Sequence, residues 1–296
     1  MDRSTEKQVK RILLRMFSFL CILACLYALW IFYQGSRNSN QGTVPGSIEA
    51  VITPSTPKAK IDEGTEVPPP KKLFTFITIK DSCDVHFLGE CVRVRGGPGV
   101  SFPVVTKLRN NILLMVSTTT VEADGHTWYQ IVFDESLAYP ERVASKWYVA
   151  GDFVDIFTDE GNKTIWENES ATTTKRVIVD RSEQKLYAYE GETPFMEISI
   201  STGLELSPTP RGTFTVFKMT PTRYMQGPLP GYTDVYDLPG VPWNLYFTNE
   251  GAVIHGAYWH DSFGIPYSHG CVNLLPSDAG KLYAWAELGM KVTVRD

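Results

Sequence analysis

Beyond its first forty residues the chain lacks a net positive charge. Residues 1–40 contain six Lys and Arg residues and two acidic residues, a net charge of +4, which leaves −9 for the remainder because the whole chain carries −5. Nucleic-acid binding needs a basic surface, so the acidic remainder argues against a nucleic-acid partner. The chain also shows no internal repeat. Its 296 residues, 43% of them hydrophobic, suffice for two ordinary folded domains.

Residues 16–33, MFSFLCILACLYALWIFY, contain no charged residue at all. About 20 apolar residues in a helix cross the ~30 Å hydrocarbon layer, so this stretch predicts one transmembrane anchor over residues 12–33. Five Lys and Arg residues precede it and one follows closely, which predicts that residues 1–11 stay in the cytoplasm and the rest is exported. Two alternatives stay open, a cleaved signal peptide and lipoprotein processing at Cys25, and both also place the remainder outside the cytosol.

Residues 34–72 have few large apolar side chains and no hydrophobic period. They are rich in Ser, Asn, Thr, Pro and Lys and contain the run Pro68–Pro70 near their end. Such a composition does not support a core, so we predict a linker that is partly extended and otherwise flexible. It would hold the exported part away from the bilayer.

Cysteine is scarce, and the five cysteines fall into three groups. Cys21 and Cys25 lie in the predicted anchor. Cys83 and Cys91 lie close together, and in an oxidising compartment such a pair predicts a disulfide, the alternative being two separate buried thiols. Cys271 stands alone, so it is either reactive or available to a partner, and its surroundings must decide.

Residues 73–157 read as a first domain of short strands. Alternating runs such as residues 74–79 indicate strands, and no helical period is present. The segments 94–99 (VRGGPG), 104–105 (VV) and 125–129 (GHTWY) resemble bacterial Src-homology-3-like domains of wall-associated proteins. The resemblance implies a small β-barrel that binds the wall or acts as a spacer.

A polar connector is predicted at residues 158–174, before a second domain at 175–296. Strands of this domain are predicted at 175–180, 185–190, 195–201, 213–219, 243–247, 252–255 and 291–295. Residues 277–288 have the apolar spacing of a helix, with Ser277 as its N-cap and Gly289 just past its end. The chain is therefore expected to be mainly β, with a C-terminal helix.

Three of the five histidines lie close to the lone Cys271. His255 ends an apolar, strand-like run, and a loop leaving one strand can return to bring His255 against Cys271. A thiol with a pKa near 8.5 is only partly ionised at neutral pH, and an adjacent imidazole can take its proton. Acyl transfer also needs donors for the oxyanion, and the backbone N–H groups of Gly270 and Cys271 are candidates.

The segment His255-Gly256-x-Tyr258-Trp259, followed by Ser268-His269-Gly270-Cys271-Val272-Asn273-Leu274, resembles the L,D-transpeptidase catalytic domain of the YkuD-type family. Residues 201–203 (STG), 209–214 (TPRGTF) and 237–243 (DLPGVPW) extend the resemblance upstream. It covers about 120 residues and implies a β-sandwich with a C-terminal helix.

The resemblance also implies the chemistry. Cys271 is expected to attack the carbonyl before the terminal D-residue of a peptidoglycan stem tetrapeptide, with His255 as general base oriented by the Gly256 carbonyl. The thioester is then resolved by an amine of a second stem, or by water in an L,D-carboxypeptidase. His269 and Gly270 are expected in the catalytic set, and no metal or organic cofactor is expected. The residues expected to bind substrate are Asn273, Ser268, Tyr258 and Trp259.

Two other functions deserve weight. His255, His260, His269 and Cys271 are zinc-type ligands, but zinc sites usually have tighter paired spacing, and catalytic ones have a nearby acidic base. A wall-binding protein with an inactive second domain is the other alternative, and the intact Cys and His set argues against it. The oligomeric state stays open.

Overall fold

The computed structural model describes residues 71–133, 137–165, 173–228 and 236–296. The predicted cytoplasmic tail, the transmembrane anchor and nearly all of the linker lie outside these residues. Within them, no helix is long and apolar enough to cross a membrane. The described residues fall within one compact unit, Val67–Asp296.

The first domain is a single antiparallel sheet of seven strands. Buried and exposed side chains alternate along a strand that has one face in the core and one in solvent. In β2, for example, Val92 and Val94 are buried while Arg93 between them is exposed. The strands are β1 (Phe74–Ile79), β2 (Val92–Arg95), β3 (Val104–Leu108), β4 (Leu113–Ala123), β5 (His126–Val132), β6 (Trp147–Ala150) and β7 (Val154–Asp159).

These strands follow the order β3-β2-β6-β5-β4-β1-β7. The run of short antiparallel strands agrees with the predicted all-β domain. Its closure into a Src-homology-3-like barrel stays a prediction, because this order leaves β3 and β7 at the two edges.

The second domain consists of two five-stranded sheets and one α-helix. One sheet has the order β11-β10-β9-β17-β12 and the other β16-β15-β14-β13-β8. The elements are β8 (Lys163–Thr164), β9 (Lys175–Asp180), β10 (Lys185–Glu190), β11 (Thr193–Ser199), β12 (Gly212–Thr215), β13 (Lys218–Gln226), β14 (Asp237–Tyr246), β15 (Val253–Gly256), β16 (Val272–Leu274), α1 (Pro276–Trp285) and β17 (Lys291–Arg295).

The two sheets enclose the main core, as the β-sandwich prediction requires. Buried residues from both sheets and from α1 form one cluster, which includes Val177, Leu186, Ile254 and Leu282. Burying each such side chain contributes roughly 1.5–3 kcal/mol, so this core stabilises both sheets together.

The predicted strand at 213–219 is in fact two strands in different sheets. The N–H of Val216 donates to Met290 O, next to β17 of one sheet, and the N–H of Phe217 donates to Tyr246 O of β14 in the other sheet. The chain changes sheets at this point. The continuous pattern of residues 213–219 predicts a strand here but does not show that the chain passes from one sheet to the other.

The C-terminal helix begins one residue before the predicted start. Leu275 is its N-cap and Pro276 its first residue, so the prediction that Ser277 caps it is wrong. Proline suits the first helical position because its φ is already helical and its missing N–H is not needed there. The helix ends at Trp285 because Ala286 is extended, with ψ 156°.

The two domains share a core. Ile77, Leu114 and Trp147 of the first domain pack with Val241 and Tyr258 of the second. The connection is short, since β7 runs to Asp159 and thus takes up the start of the predicted connector. The two domains therefore present a joint surface to any site near their boundary.

Substitution of Gly240 tests how tightly the two domains pack in the shared core. Its φ is +65°, and a Cβ there would lie 2.6 Å from Leu113 O of the first domain. We expect Gly240→Ala to lower the free energy of unfolding by more than about 1–3 kcal/mol, the usual cost of backbone strain alone, because the two domains must also separate. Urea unfolding measures this loss.

Gly191→Ala is the matched control. Gly191 has φ +57° and nothing within 4 Å of a built Cβ, so it carries similar strain without the collision. Equal losses from the two substitutions would contradict tight packing between the domains.

Candidate active site

An open cleft of about 870 Å³ lies at the boundary of the two domains. It contains His255 and Cys271, the two residues that the sequence predicts to work together. It is also lined by Val85, Phe87, Arg109, Ser207, Arg223, Tyr236, Glu250, Trp259, Tyr267, Ser268, His269, Gly270 and Asn273, among others. The predicted juxtaposition of thiol and imidazole thus has a reachable cleft.

Two parallel strands position the key side chains. β15 pairs with β16, with His255 opposite Asn273. Paired residues project from the same side of a sheet, and so do residues two apart along an extended chain. Cys271 lies in the bend just before β16, and it lines the same cleft as His255 and Asn273.

His255 is held in the tautomer that a general base needs. Its Nδ1 lies 3.1 Å from the carbonyl oxygen of Gly256, and a carbonyl only accepts, so Nδ1 carries the proton. Nε2 then carries the free lone pair that can accept a proton. This buried atom has no hydrogen-bond partner among the described residues. Gly256 is confined as well, because a Cβ there would lie 2.9 Å from Pro242.

Burial keeps both groups neutral in the empty cleft. It lowers the pKa of His255 to about 4, with the charge of Arg223 acting in the same direction and the Gly256 carbonyl opposing it. Burial raises the pKa of the Cys271 thiol, while Arg223 and the backbone of Val253 oppose that rise. Arg223 therefore favours thiolate and disfavours imidazolium. The cleft thus contains a neutral imidazole and a neutral thiol, whose Sγ donates to Gly251 O at 3.7 Å.

The turn before Cys271 is held by the Ser268 side chain. Ser268 Oγ donates to Cys271 O at 2.6 Å and accepts from the Gly270 N–H at 3.2 Å. Gly270 has φ +112°, a conformation that glycine adopts without strain. In this state the Gly270 N–H points to Ser268, so its role as an oxyanion donor stays a prediction.

A second loop braces the same turn. Ser207 Oγ donates to His269 O at 3.0 Å, and Thr209 Oγ1 donates to Cys271 O at 3.2 Å. The His269 side chain is exposed and lines the cleft. Thr209 begins the segment 209–214 that extends the resemblance upstream, so this segment supports the nucleophile's backbone.

His260 decides which way the Asn273 amide faces. The Ser262 N–H donates to His260 Nδ1 at 3.1 Å, so the proton of the neutral ring is on Nε2. That Nε2 lies 2.9 Å from the Asn273 amide atom placed as Nδ2. Because Nε2–H donates, we assign the amide the other way round, with its oxygen facing His260. The amide position that has no partner among the described residues, placed as Oδ1, is then the NH₂ group. It is placed to donate to a substrate carbonyl or carboxylate.

Replacing His260 by phenylalanine should release that amide. We expect an increase in KM for the donor substrate of about 5–30-fold with a smaller change in kcat, since one buried hydrogen bond is lost. His260→Gln retains an N–H donor and should recover part of the loss. A fall in kcat alone, with KM unchanged, would contradict this positioning role.

A comparison of the sequence with protein-family models identifies the second domain. Residues 174–294 match the L,D-transpeptidase catalytic domain of the YkuD family. These residues are an L,D-transpeptidase catalytic domain. The domain makes the chain a cysteine L,D-transpeptidase, as the Ser-His-Gly-Cys segment predicts. No curated protein is significantly similar to the chain.

Solved L,D-transpeptidases resemble the chain at low sequence identity. The enzyme from Mycobacterium smegmatis is 20% identical over 58% of this chain and 92% of its own, with a TM-score of 0.40. The enzyme from Stackebrandtia nassauensis is 30% identical over 45% of this chain and 62% of its own, with a TM-score of 0.34. The catalytic domain from Enterococcus faecium is 26% identical over 43% of this chain and all of its own, with a TM-score of 0.38.

The two aromatic residues of the L,D-transpeptidase motif, Tyr258 and Trp259, have different environments. Trp259 lines the cleft, with its ring centroid 5.7 Å from that of His255. Tyr258 is only 5% exposed and packs in the core shared with the first domain, and its hydroxyl donates to Pro239 O at 2.7 Å. Tyr258 is placed as a core residue, whereas the sequence predicts substrate binding.

Cys83 and Cys91 are joined in a disulfide, as their spacing predicts. Within the described ranges, no group of three or more His, Cys, Asp or Glu residues is arranged to hold a metal ion. The histidines of the motif instead have separate environments, since His255 bonds Gly256 and His260 faces Asn273.

The sequence does not reveal every residue that lines the L,D-transpeptidase cleft. Val85, Phe87 and Arg109 come from the first domain, about 150 or more residues before Cys271. Arg223 lies in β13, and the sequence shows it only as one residue of a Pro- and Gly-rich stretch. No local pattern marks these positions, because only packing between the domains brings them to the thiol.

Proposed function

We propose that the chain cross-links peptidoglycan through a thioester on Cys271, outside a cytoplasmic membrane. The observation that supports this most strongly is the buried, unpartnered Nε2 of His255, in the cleft that also contains the Cys271 thiol. A neutral base and a lone nucleophile in one cleft suit acyl transfer.

The reaction would proceed in two balanced steps. His255 Nε2 takes the Sγ proton as Sγ bonds to the carbonyl carbon that precedes the terminal D-residue. The C–N bond then breaks, and the proton passes from Nε2 to the leaving amine. An amine of a second stem attacks the thioester, gives its proton to Nε2 and displaces the sulfur, which regains a proton from His255.

Asn273 and Trp259 would hold the donor stem. The Asn273 amide is fixed by His260 with its NH₂ group free, and Trp259 provides an apolar wall beside His255. The Cys271 N–H, with the Gly270 N–H if substrate displaces Ser268 Oγ, would receive the oxyanion.

The test of this activity is incubation of the purified protein with a disaccharide tetrapeptide, with products read by mass spectrometry. Dimers together with released D-residue support transpeptidation. Released D-residue with tripeptide and no dimer supports the carboxypeptidase alternative instead. No change in the substrate would reject both reactions.

The proposed location rests on the uncharged segment 16–33 and its flanking charges. The Cys83–Cys91 disulfide supports it, because such bonds persist in oxidising compartments outside the cytosol. Protease added to intact cells or spheroplasts should remove the catalytic domain from a membrane-bound stub. Full protection, with the domain in the cytosolic fraction, would overturn the proposed location.

We also propose that the first domain is a Src-homology-3-like barrel that spaces the catalytic domain from the wall or binds the wall. Its seven short antiparallel strands support the barrel. Co-sedimentation of residues 67–157 with purified wall sacculi would test binding, provided that the isolated domain gives a cooperative unfolding transition. Retention of the full chain on sacculi only through the catalytic domain would reject the binding role.

A further inference from the structure

The first domain contributes a wall to the catalytic cleft. Val85 and Phe87 lie in the nine-residue loop closed by the Cys83–Cys91 disulfide, and Arg109 follows β3. All three line the cleft that contains Cys271. Phe87 is 62% exposed, so much of a large apolar ring stays open to the cleft.

Internal hydrogen bonds hold the conformation of the disulfide loop, residues 83–91. Asp84 Oδ1 accepts the N–H groups of both His86 and Leu88 at 2.9 Å. His86 Nε2 lies 2.9 Å from Asp261 Oδ2, which links the loop to the catalytic domain. These contacts hold Phe87 in place, with its φ at +59°.

Arg109 is fixed against the same loop. Its guanidinium lies 4.2 Å from the centroid of the Phe87 ring and 5.9 Å from that of Tyr258. One of its N–H groups donates to Val85 O at 3.4 Å. The flat cation is therefore sandwiched at a defined position, and most of its five N–H donors stay available.

The cleft has an excess of positive charge that the protein itself does not neutralise. Among the described residues, neither Arg109 nor Arg223 forms an ion pair with a carboxylate, and Glu250 is the acidic residue among those that line the cleft. Arg223 acts electrostatically on Cys271 and His255, whereas Arg109 acts on Tyr258. Arg223 thus serves the reacting pair, and Arg109 is left for the ligand.

We propose that Arg109 and Phe87 form a subsite for a carboxylate of the bound stem peptide, an inference that rests on the proposed function. The guanidinium would pair with the carboxylate through two N–H donors, and the Phe87 ring would cover the neighbouring apolar part of the stem. The first domain then takes part in substrate recognition. The carboxylate belongs either to the donor stem or to the acceptor stem.

The first test measures binding without turnover, in the Cys271→Ala protein, by calorimetry. The ligands are a disaccharide tetrapeptide and the same compound with its carboxylates amidated. Adding Arg109→Gln should weaken binding of the carboxylate form about ten-fold and leave binding of the amidated form unchanged. Arg109→Lys keeps the charge but loses the stacking of the flat guanidinium on Phe87. Its affinity for the carboxylate form should therefore lie between those of Arg109 and Arg109→Gln.

Arg93→Gln is the matched control, since Arg93 is an exposed arginine of β2 that pairs with Glu90 away from the cleft. It should change neither affinity. Equal weakening of both ligands by Arg109→Gln, or no weakening of either, would overturn the carboxylate subsite. Thermal unfolding of each variant shows whether the fold is retained.

The second test identifies the source of the carboxylate by turnover of the otherwise wild-type chain. The acceptor-free reaction uses a tetrapeptide whose third-residue amine is acetylated, so that only hydrolysis can release the D-residue. If Arg109→Gln slows both this release and dimer formation from the unmodified tetrapeptide, the donor supplies the carboxylate. If it slows dimer formation alone, the acceptor supplies it. If it slows neither, the subsite is rejected. A wild-type chain that makes no product would reject the proposed activity, while the binding data would still decide the subsite.

Discussion

Replacing Cys271 by alanine should abolish both thioester formation and cross-linking, with a loss of roughly 10⁴-fold or more in kcat/KM, as expected when a covalent nucleophile is removed. Cys271 is the one free cysteine within the described residues, so no second thiol there can substitute for it. Intact-mass spectrometry after incubation with a carbapenem measures the first step directly. The wild-type protein should gain one adduct and the variant none.

Cys271→Ser distinguishes loss of the nucleophile from loss of the site. The hydroxyl has nearly the same size but is far harder to ionise, so we expect stem binding to be retained and the adduct to form very slowly. Unfolding temperatures of both variants should match the wild type. An undiminished adduct on Cys271→Ala would show that another residue is acylated and would reject the mechanism.

Replacing His255 by glutamine should slow acylation at neutral pH by about 10²–10⁴-fold, the usual contribution of a positioned general base. Nε2 of His255 is the unpartnered lone pair in the cleft, and the Gly256 carbonyl holds the ring in that tautomer. Glutamine preserves polarity but accepts no proton. Stopped-flow measurement of carbapenem acylation gives the rate.

The pH profile gives the same prediction an independent readout. The pKa of His255 is lowered to about 4, so its neutral, proton-accepting form is present above that pH and is lost as the pH falls through it. Wild-type kcat/KM should therefore rise with pH through about 4 and be level well below pH 6.5. His255→Gln should lack this limb and instead gain rate at alkaline pH, where the thiol ionises unaided.

His126→Gln is the control for this histidine. His126 lies on β5 and faces Asp152 at 2.7 Å, on the surface of the first domain. It should leave the acylation rate and its pH profile unchanged. An acid limb centred near 6.5 in the wild type would show that burial does not lower the His255 pKa, and the neutral resting pair would then be wrong.

Several structural elements were predictable from local patterns. The strands at 175–180, 185–190 and 291–295 have their predicted bounds, because apolar residues recur along each and turn residues flank them. The helix starts earlier than predicted because Pro276 takes its first position and Leu275 its N-cap, without the capping side chain that Ser277 would have supplied. The crossing near Val216 was hidden, since hydrogen-bond partners decide which sheet a strand joins.

The candidate site was also only partly predictable from the sequence. The sequence predicted Cys271 as nucleophile and His255 as its base, and parallel pairing of β15 with β16 brings both residues to one cleft. The tautomer of His255 and the direction of the Asn273 amide required the positions of Gly256 O and His260. Tyr258 was assigned to the substrate, yet the first domain covers it.

The sequence by itself determined the reaction chemistry and the family of the second domain, since His255, Cys271 sixteen positions later and their flanking residues specify both. Only the tertiary structure decided what surrounds that chemistry. Arg109, Phe87 and Arg223 reach the cleft through packing of distant segments, and burial there lowers the pKa of His255 and raises that of Cys271. Desolvation and long-range charge depend on positions in space, and a local pattern of residues does not contain those positions.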